Sequence, residues 1–332
     1  MAGVVQNIGW RGEAAAWDAY QGAFRAMGPT RASDAGAALL KAIGPRLSVD
    51  KVARVNMRIA FPEAHDCEID RLVEAMWDNI GRLAGEFPNT HRFDLSGEGG
   101  DVHIEGGEIL YEYARAKQPV VLISGHFANW EVLAAVVTHH LPSCRMTYRH
   151  ANNPMIDQRI VAQRRAYGTR ILAPKGGDGA KEILKSLKAG ESVALMNDQK
   201  MNDGVAAPFF GREAMTASGP ARLALRAGAP LVPMSIVRSG GPRFIVRVHE
   251  PLPTPSATDR GAAILETVTR INRFVEDRIR EAPSQWFWVH RRFDKALYKQ
   301  AYSDGSPPEA LAPTSEKAST SGSTATASDG SI

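Results

Sequence analysis

Short apolar runs at 101–105, 119–124, 145–149, 170–173, 192–197, 231–238 and 243–249 alternate with segments of helical spacing near 107–117, 129–140, 154–167, 179–189 and 218–227. A last long helix is expected over 258–281. Few architectures accept such an alternation, because each strand must bury its faces against the helices that connect it to the next. The pattern therefore predicts an α/β fold, a mixed sheet flanked by helices. Helical patterns at 33–44, 48–60 and 66–86 precede it and give an N-terminal helical segment. Gly168, Gly190 and Gly228 each stand where a helix should end, as left-handed caps require. With 332 residues, 44% of them hydrophobic, the chain can bury one substantial core. The expected organisation is a helical segment over 1–45, one domain over 46–300, and a disordered tail over 303–332. That tail is rich in Ser, Thr, Ala, Gly and Pro and has little to bury.

Within that frame one segment carries chemistry. The run Pro119 to Ser124 is rich in Val and Ile and stops at Gly125-His126, as a buried parallel strand does before its turn. Asn129 is the expected N-cap of the following helix, in which Trp130, Leu133, Ala134 and Val137 recur at helical spacing. Glu131 then falls in the first turn, where the helix dipole favours a carboxylate. On one continuous helix His126 and Glu131 would lie about 140° apart. The pair makes sense only with His126 on the turn and Glu131 on the helix. A carboxylate on one imidazole nitrogen would leave the other to take a proton from a hydroxyl.

Other candidates surround this pair. Asp198 and Gln199 end the apolar run SVALMN, so they project from the carboxyl end of a strand, where open α/β sheets place their ligands. Arg149, Arg164 and Arg165 read either as a solvated basic face or as forks that grip phosphate oxygens of a headgroup or a pantetheine arm. Phe209 and Phe210 sit in a loop before a helix capped near Ser218. They would line an acyl groove, dip into a bilayer surface, or plug the core. The C-terminal QWFWVHRRF reads as a strand packed on the core, with His290, Arg291 and Arg292 offering charge to an acidic carrier or to phosphates.

Net charge of +4 and a pI near 9.1 suit an anionic membrane surface or an acidic carrier protein; no nucleic-acid motif is present. Only Cys67 and Cys144 occur, which argues for a reducing compartment and against a disulfide framework. Neither they nor His126, Glu131, His139 and His140 follow a standard zinc spacing, so no metal is expected. No stretch reaches the roughly 18 apolar residues that span a bilayer. Trp10, Trp17, Tyr20, Phe24 and Met27 share one side of a helix, which would lie in a membrane interface or pack on the rest of the protein.

GHFANWE, NDQ, DGVAAPFFG, GPARLALRAGAPLVP and QWFWVHRRF, with RVNMRIAFPE, WDNIGRLAGEF and YRHANNPMIDQRIVAQRRAYG, resemble in order the bacterial lipid A biosynthesis acyltransferases. That lauroyl/myristoyl transferase family is marked by HxxxxE or HxxxxD. The resemblance runs from about Val52 to Lys295. It implies an enzyme that moves a fatty acyl chain from an acyl carrier protein or acyl-CoA thioester to a hydroxyl of a membrane glycolipid, without a cofactor. His126 and Glu131 would be catalytic; Arg149, Arg164, Asp198 and Gln199 would bind substrate. An acid matching Asp198 and an Arg matching Arg164 count among the family's functional residues, with Arg165 adjacent to the latter. The expected partners are acyl carrier protein, a lipid acceptor and the cytoplasmic face of the inner membrane, with peripheral attachment. Many family members carry an N-terminal membrane anchor, which this sequence does not display. Lipid A precursors, phosphatidylinositol mannosides and other glycolipids all remain as acceptors. A lipid hydrolase is disfavoured because no G-x-S-x-G elbow occurs. A non-catalytic membrane-binding protein would leave the His126 to Glu131 spacing without a purpose.

Overall fold

A computed structural model describes residues 2–97, 100–148, 150–172 and 177–303. The chain begins with α1 (Ala2–Ile43), broken at Gly28, whose φ of 74° turns the backbone before Pro29. The helices α2 (Ser48–Ala60) and α3 (Asp66–Glu86) follow, and a 3₁₀ turn covers Phe87–Arg92. From there strands and helices alternate as β1 (Val102–Glu105), α4 (Gly107–Arg115), β2 (Val121–Ser124), α5 (Trp130–His140), β3 (Arg145–Thr147), α6 (Pro154–Ala166), β4 (Arg170–Leu172), α7 (Gly177–Lys188) and β5 (Val193–Met196). The chain continues through β6 (Lys200–Phe209), β7 (Arg212–Thr216), α8 (Gly219–Ala227), β8 (Leu231–Gly240), β9 (Arg243–Val248), α9 (Arg260–Glu281) and α10 (Lys295–Ser303).

All the apolar runs named from the sequence enter one sheet, ordered β1-β9-β8-β2-β5-β3-β4. Every neighbouring pair is parallel except β8 and β9, so the sheet is mixed as expected. Gly168, Gly190 and Gly228 have positive φ just past α6, α7 and α8. Strand β2 lies near the middle and is buried on both faces. Val121 and Ile123 pack with Ile183, Leu187, Leu223 and Ile271 on one side, while Val120 and Leu122 join Val132, Leu133 and Val136 on the other. Helices thus cover both faces, which is why the run carries no polar alternation.

Four of these readings are decided by the structure. The loop holding Phe209 and Phe210 is the hairpin β6–β7, and both rings are buried, so they plug the core rather than dip into a membrane. QWFWVHRRF is not a strand: a 3₁₀ turn at Pro283–Gln285 leads into an irregular segment that makes, among the described residues, one isolated β-bridge, Trp286 to Phe127. Arg292 offers nothing to a carrier. It is fully buried over the Phe209 ring and donates to Thr216 Oγ1 at 2.7 Å, Asn272 Oδ1 at 3.1 Å and the Met215 carbonyl at 3.2 Å. Ser218 takes the N-cap position of α8 without a side-chain cap. The tail from residue 304 lies outside the described residues.

The aromatic side of α1 meets the body of the protein. Trp17 is 6.0 Å from the Phe87 ring, the Tyr20 hydroxyl donates to the Ala84 carbonyl, and the Phe24 ring lies tilted 5.2 Å from that of Tyr20; Met27 stays exposed. Asp18 accepts two hydrogen bonds of 2.7 Å from Arg159 on α6. The second half of α1 crosses α3 at backbone contact, where a methyl group on Gly36 would lie 2.1 Å from the Gly81 carbonyl oxygen. Among the described residues no helix is long and apolar enough to cross a membrane.

At the β8–β9 pair, His249 Nε2 meets the buried Ser235 hydroxyl at 2.9 Å. Burial, with Arg278 and Arg247 nearby, pushes this imidazole down to about 4. The unfolded chain takes up that proton first, at its ordinary value of about 6.5. Stability should therefore fall as pH drops from about 6.5 to about 4. The urea midpoint followed over that window in wild type and His249→Gln checks it: the variant should flatten the slope, and an unchanged slope would remove His249 as its cause.

Candidate active site

The two strand ends at the centre of the sheet meet. Ser124 of β2 is in register with Met196 of β5, so two residues further on His126 stands opposite Asp198. The His126 Nδ1 to Asp198 Oδ1 distance is 2.7 Å, and the His126 backbone N–H donates to Asp198 Oδ2, also at 2.7 Å. The Trp286 indole N–H donates to the same Oδ2 at 2.7 Å. Burial would raise the carboxyl's pKa, yet the His126 ring and backbone N–H, with His290 nearby, hold it well below the usual carboxylate range. A carboxylate only accepts, so the proton sits on Nδ1 and Nε2 becomes the basic nitrogen.

The turn that presents His126 is tightly specified. A methyl group on Gly125 would lie 2.7 Å from the Phe127 ring. Ala128 has a φ of 39°, an uncommon value for a residue with a Cβ, and its amide donates to the Gln285 carbonyl at 2.6 Å. The Phe287 amide donates in turn to the His126 carbonyl at 3.0 Å. Asn129 caps α5 as expected, its side chain accepting from the amides of Glu131 and Val132 at 3.1 and 3.2 Å. The Asn129 amide nitrogen is held by Glu86 Oε2 at 2.8 Å. Glu86 is wholly buried and pairs in a fork with Arg238, which donates through Nη2 at 2.9 Å and through Nη1.

Glu131 is not the residue that orients His126, contrary to expectation. From the first turn of α5 its carboxylate reaches α6 instead. Arg164 clasps it through Nε at 3.0 Å and through Nη2, and the Tyr167 hydroxyl donates at 3.1 Å. Burial would lower the Arg164 pKa, but Glu131 more than offsets this, so the guanidinium stays firmly charged. The ring of Tyr148 lies 4.7 Å below it. Of the two adjacent arginines, Arg164 reaches the site and Arg165 is exposed on α6. Arg149 lies outside the described residues.

These groups border a cleft of about 470 Å³ between α5 and the sheet. His126, Trp130, Glu131 and Arg164 lie along it, as do Gln199 and Lys200. Its apolar part is built from Leu122, Leu133, Ala134, Val137, Met146 and Ala194. From Trp130 to Val137 it follows α5 for about 10 Å. Asp198 is walled off from the cleft, so its place among the substrate-binding residues is corrected to that of partner to His126. Asn197 borders the cleft as well, and its buried amide has no hydrogen-bond partner. Trp286, Tyr167, Lys200 and Asn197 were not singled out from the sequence. The only signal for Asn197 and Lys200 was their adjacency to Asp198 and Gln199 at a strand end.

The model of the bacterial lipid A biosynthesis acyltransferase family matches residues 17–295. The chain belongs to that family. It is accordingly an acyltransferase. Two similar proteins come from Escherichia coli strain K12. A lipid A biosynthesis palmitoleoyltransferase is 27% identical over 74% of this chain and 78% of its own, and a lipid A biosynthesis lauroyltransferase is 28% identical over 73% and 78%. A phosphatidylinositol mannoside acyltransferase of Mycolicibacterium smegmatis is 24% identical over 65% of this chain and 70% of its own.

Proposed function

We propose that the protein transfers a fatty acyl chain from the thioester of acyl carrier protein, or of coenzyme A, to a hydroxyl of a membrane glycolipid, with a lipid A precursor as the first choice. The observation that carries this reading is His126, made basic at Nε2 by Asp198, beside an apolar cleft that suits an acyl chain. Nε2 takes the proton of the acceptor hydroxyl as its oxygen attacks the thioester carbonyl. The carbon–sulfur bond then breaks, and the leaving thiolate regains the proton from the imidazolium. Products are an ester and a free thiol, no covalent acyl-enzyme forms, and no cofactor takes part.

Developing negative charge on the carbonyl oxygen needs donors. Arg164, immobilised by Glu131, and the unpaired Asn197 amide are the candidates. Lys200 and Gln199 border the same cleft and suit phosphate or sugar oxygens of the acceptor. Membrane contact is peripheral in this reading, at the cytoplasmic face of the inner membrane where acyl carrier protein is available. A phosphatidylinositol mannoside is the second acceptor, favoured by the Mycolicibacterium smegmatis relative.

The test is acyl transfer by the wild-type chain from labelled acyl carrier protein and labelled acyl-CoA to a panel of hydroxylated lipids in vesicles. Labelling of a lipid A precursor from acyl carrier protein is the expected result. Preferential labelling of a phosphatidylinositol mannoside would move the second reading to the front, and labelling of neither would overturn both.

A further inference from the structure

The carboxylate that serves His126 is itself held by a residue from the far end of the chain. Three N–H groups converge on Asp198: the His126 ring on Oδ1, and the His126 backbone and the Trp286 indole on Oδ2. Two of these come from the β2 turn and move with it. Trp286 alone ties the acid to a separate part of the fold. Its ring is buried, 4.7 Å from Trp288, 5.9 Å from Phe209 and 5.1 Å from His290. Its neighbours Gln285 and Phe287 hold the Ala128 amide and the His126 carbonyl, so one short segment grips both the base and its acid.

We propose that Trp286 is a positioning residue of the catalytic centre, whose indole N–H fixes the plane of the Asp198 carboxylate so that Oδ1 stays on His126 Nδ1. The proposal deepens the acyl-transfer reading and rests on it for the consequence in turnover. Rotation about the last bond of an aspartate is soft, with no deep staggered wells. Without the indole both contacts left on the carboxylate come from His126 itself, the residue whose ring it must orient, and no group outside the β2 turn fixes its plane. A second donor on Oδ2, from a rigid aromatic cluster, removes that freedom. It also draws negative charge toward Oδ2 and moderates how strongly the acid attracts the imidazole proton.

Loss of the indole N–H therefore has two effects. The carboxylate becomes a stronger acceptor for His126, so the imidazole pKa rises and the acid limb of kcat/KM moves to higher pH. The carboxylate also wanders, so kcat falls while KM changes little. Other titratable or charged groups facing this pair are His290 and Arg292 from the C-terminal segment, Glu131 on α5, Arg164 on α6 and Lys200 on β6. Trp286→Phe alters none of them.

The experiment is a nitrogen-15 NMR titration of His126 in the full chain, wild type against Trp286→Phe, with no substrate present, beside the pH profile of acyl transfer. Expected in the variant are a higher His126 pKa, an acid limb displaced with it, and kcat about tenfold lower, the loss of one charge-assisted hydrogen bond. A folded variant with wild-type titration and wild-type kcat overturns the proposal. If the titration moves but neither protein acylates any acceptor, the clamp stands and the acyl-transfer reading falls. Should the variant fail to fold, the wild-type Trp286 indole N–H resonance decides. A shift that follows His126 protonation supports the contact, and an indifferent resonance overturns it.

Discussion

Asp198→Asn is expected to lower kcat/KM by about 10²- to 10⁴-fold, the range for losing a positioned general base, with the fold intact. The reason lies in counting donors. Asp198 offers two accepting oxygens to three N–H groups. An amide offers one oxygen and one NH₂. With its NH₂ toward Trp286 and the His126 backbone, two donors face a donor in a buried site. With its NH₂ toward the ring, it donates to Nδ1 and forces the proton onto Nε2, which then cannot accept one from the acceptor hydroxyl. His126→Ala should be as damaging, because it removes the base altogether. Transfer rates and the nitrogen-15 shifts of His126 report both consequences. Activity within a few-fold of wild type in Asp198→Asn, with Nε2 still unprotonated, would sink the assignment of Asp198 as the partner acid.

The largest expected effect on stability is at Arg238. Arg238→Ala strands the carboxylate of Glu86, which is wholly buried and would keep only the Ser33 hydroxyl and the Asn129 amide. Breaking one side of a buried pair costs about 3–5 kcal/mol. Urea unfolding of Arg238→Ala measures this, and a loss under about 1 kcal/mol would contradict the picture of a desolvated pair. Glu86→Gln combined with Arg238→Met should recover much of the loss, since no charge then remains without a partner. Because Glu86 also holds the cap of α5, the single variant should lose activity at temperatures where it is still folded.

The sequence disclosed the sheet more fully than the site. Each strand of the large sheet announced itself by a local apolar run, and His126, Asn129 and Glu131 declared their turn and helix within ten residues of one another. The pairing of His126 with Asp198 spans 72 positions and depends on which strand lies beside β2, a matter of crossover that spacing does not encode. Proximity in sequence thus pointed to Glu131, and strand adjacency chose Asp198. The β6–β7 hairpin escaped because its turn is Phe210-Gly211, both with positive φ, in place of the Asn-Gly or Asp-Gly pair that normally marks such a turn. QWFWVHRRF alternates as a strand would, and Trp286, Trp288 and Arg292 are indeed buried. Their partners, however, are side chains, single carbonyls such as those of Met215 and Pro283, and the β2 turn rather than a neighbouring ladder.

The contacts of α1 change what removing it would mean. Deleting residues 1–30 looks like a direct way to ask whether the aromatic stripe attaches the protein to a membrane. Yet α1 braces α3, which ends in Glu86 and so reaches the Asn129 cap, and through Asp18 and Glu13 it braces α6, which carries Arg164. The first helix is a shared buttress for the two walls that hold the base turn and the guanidinium. A shortened protein that no longer sediments with membranes and no longer turns over would have lost its scaffolding along with any mooring. Point changes at exposed positions such as Ile8 and Met27 separate the two, since they strip apolar surface and leave the bracing contacts in place.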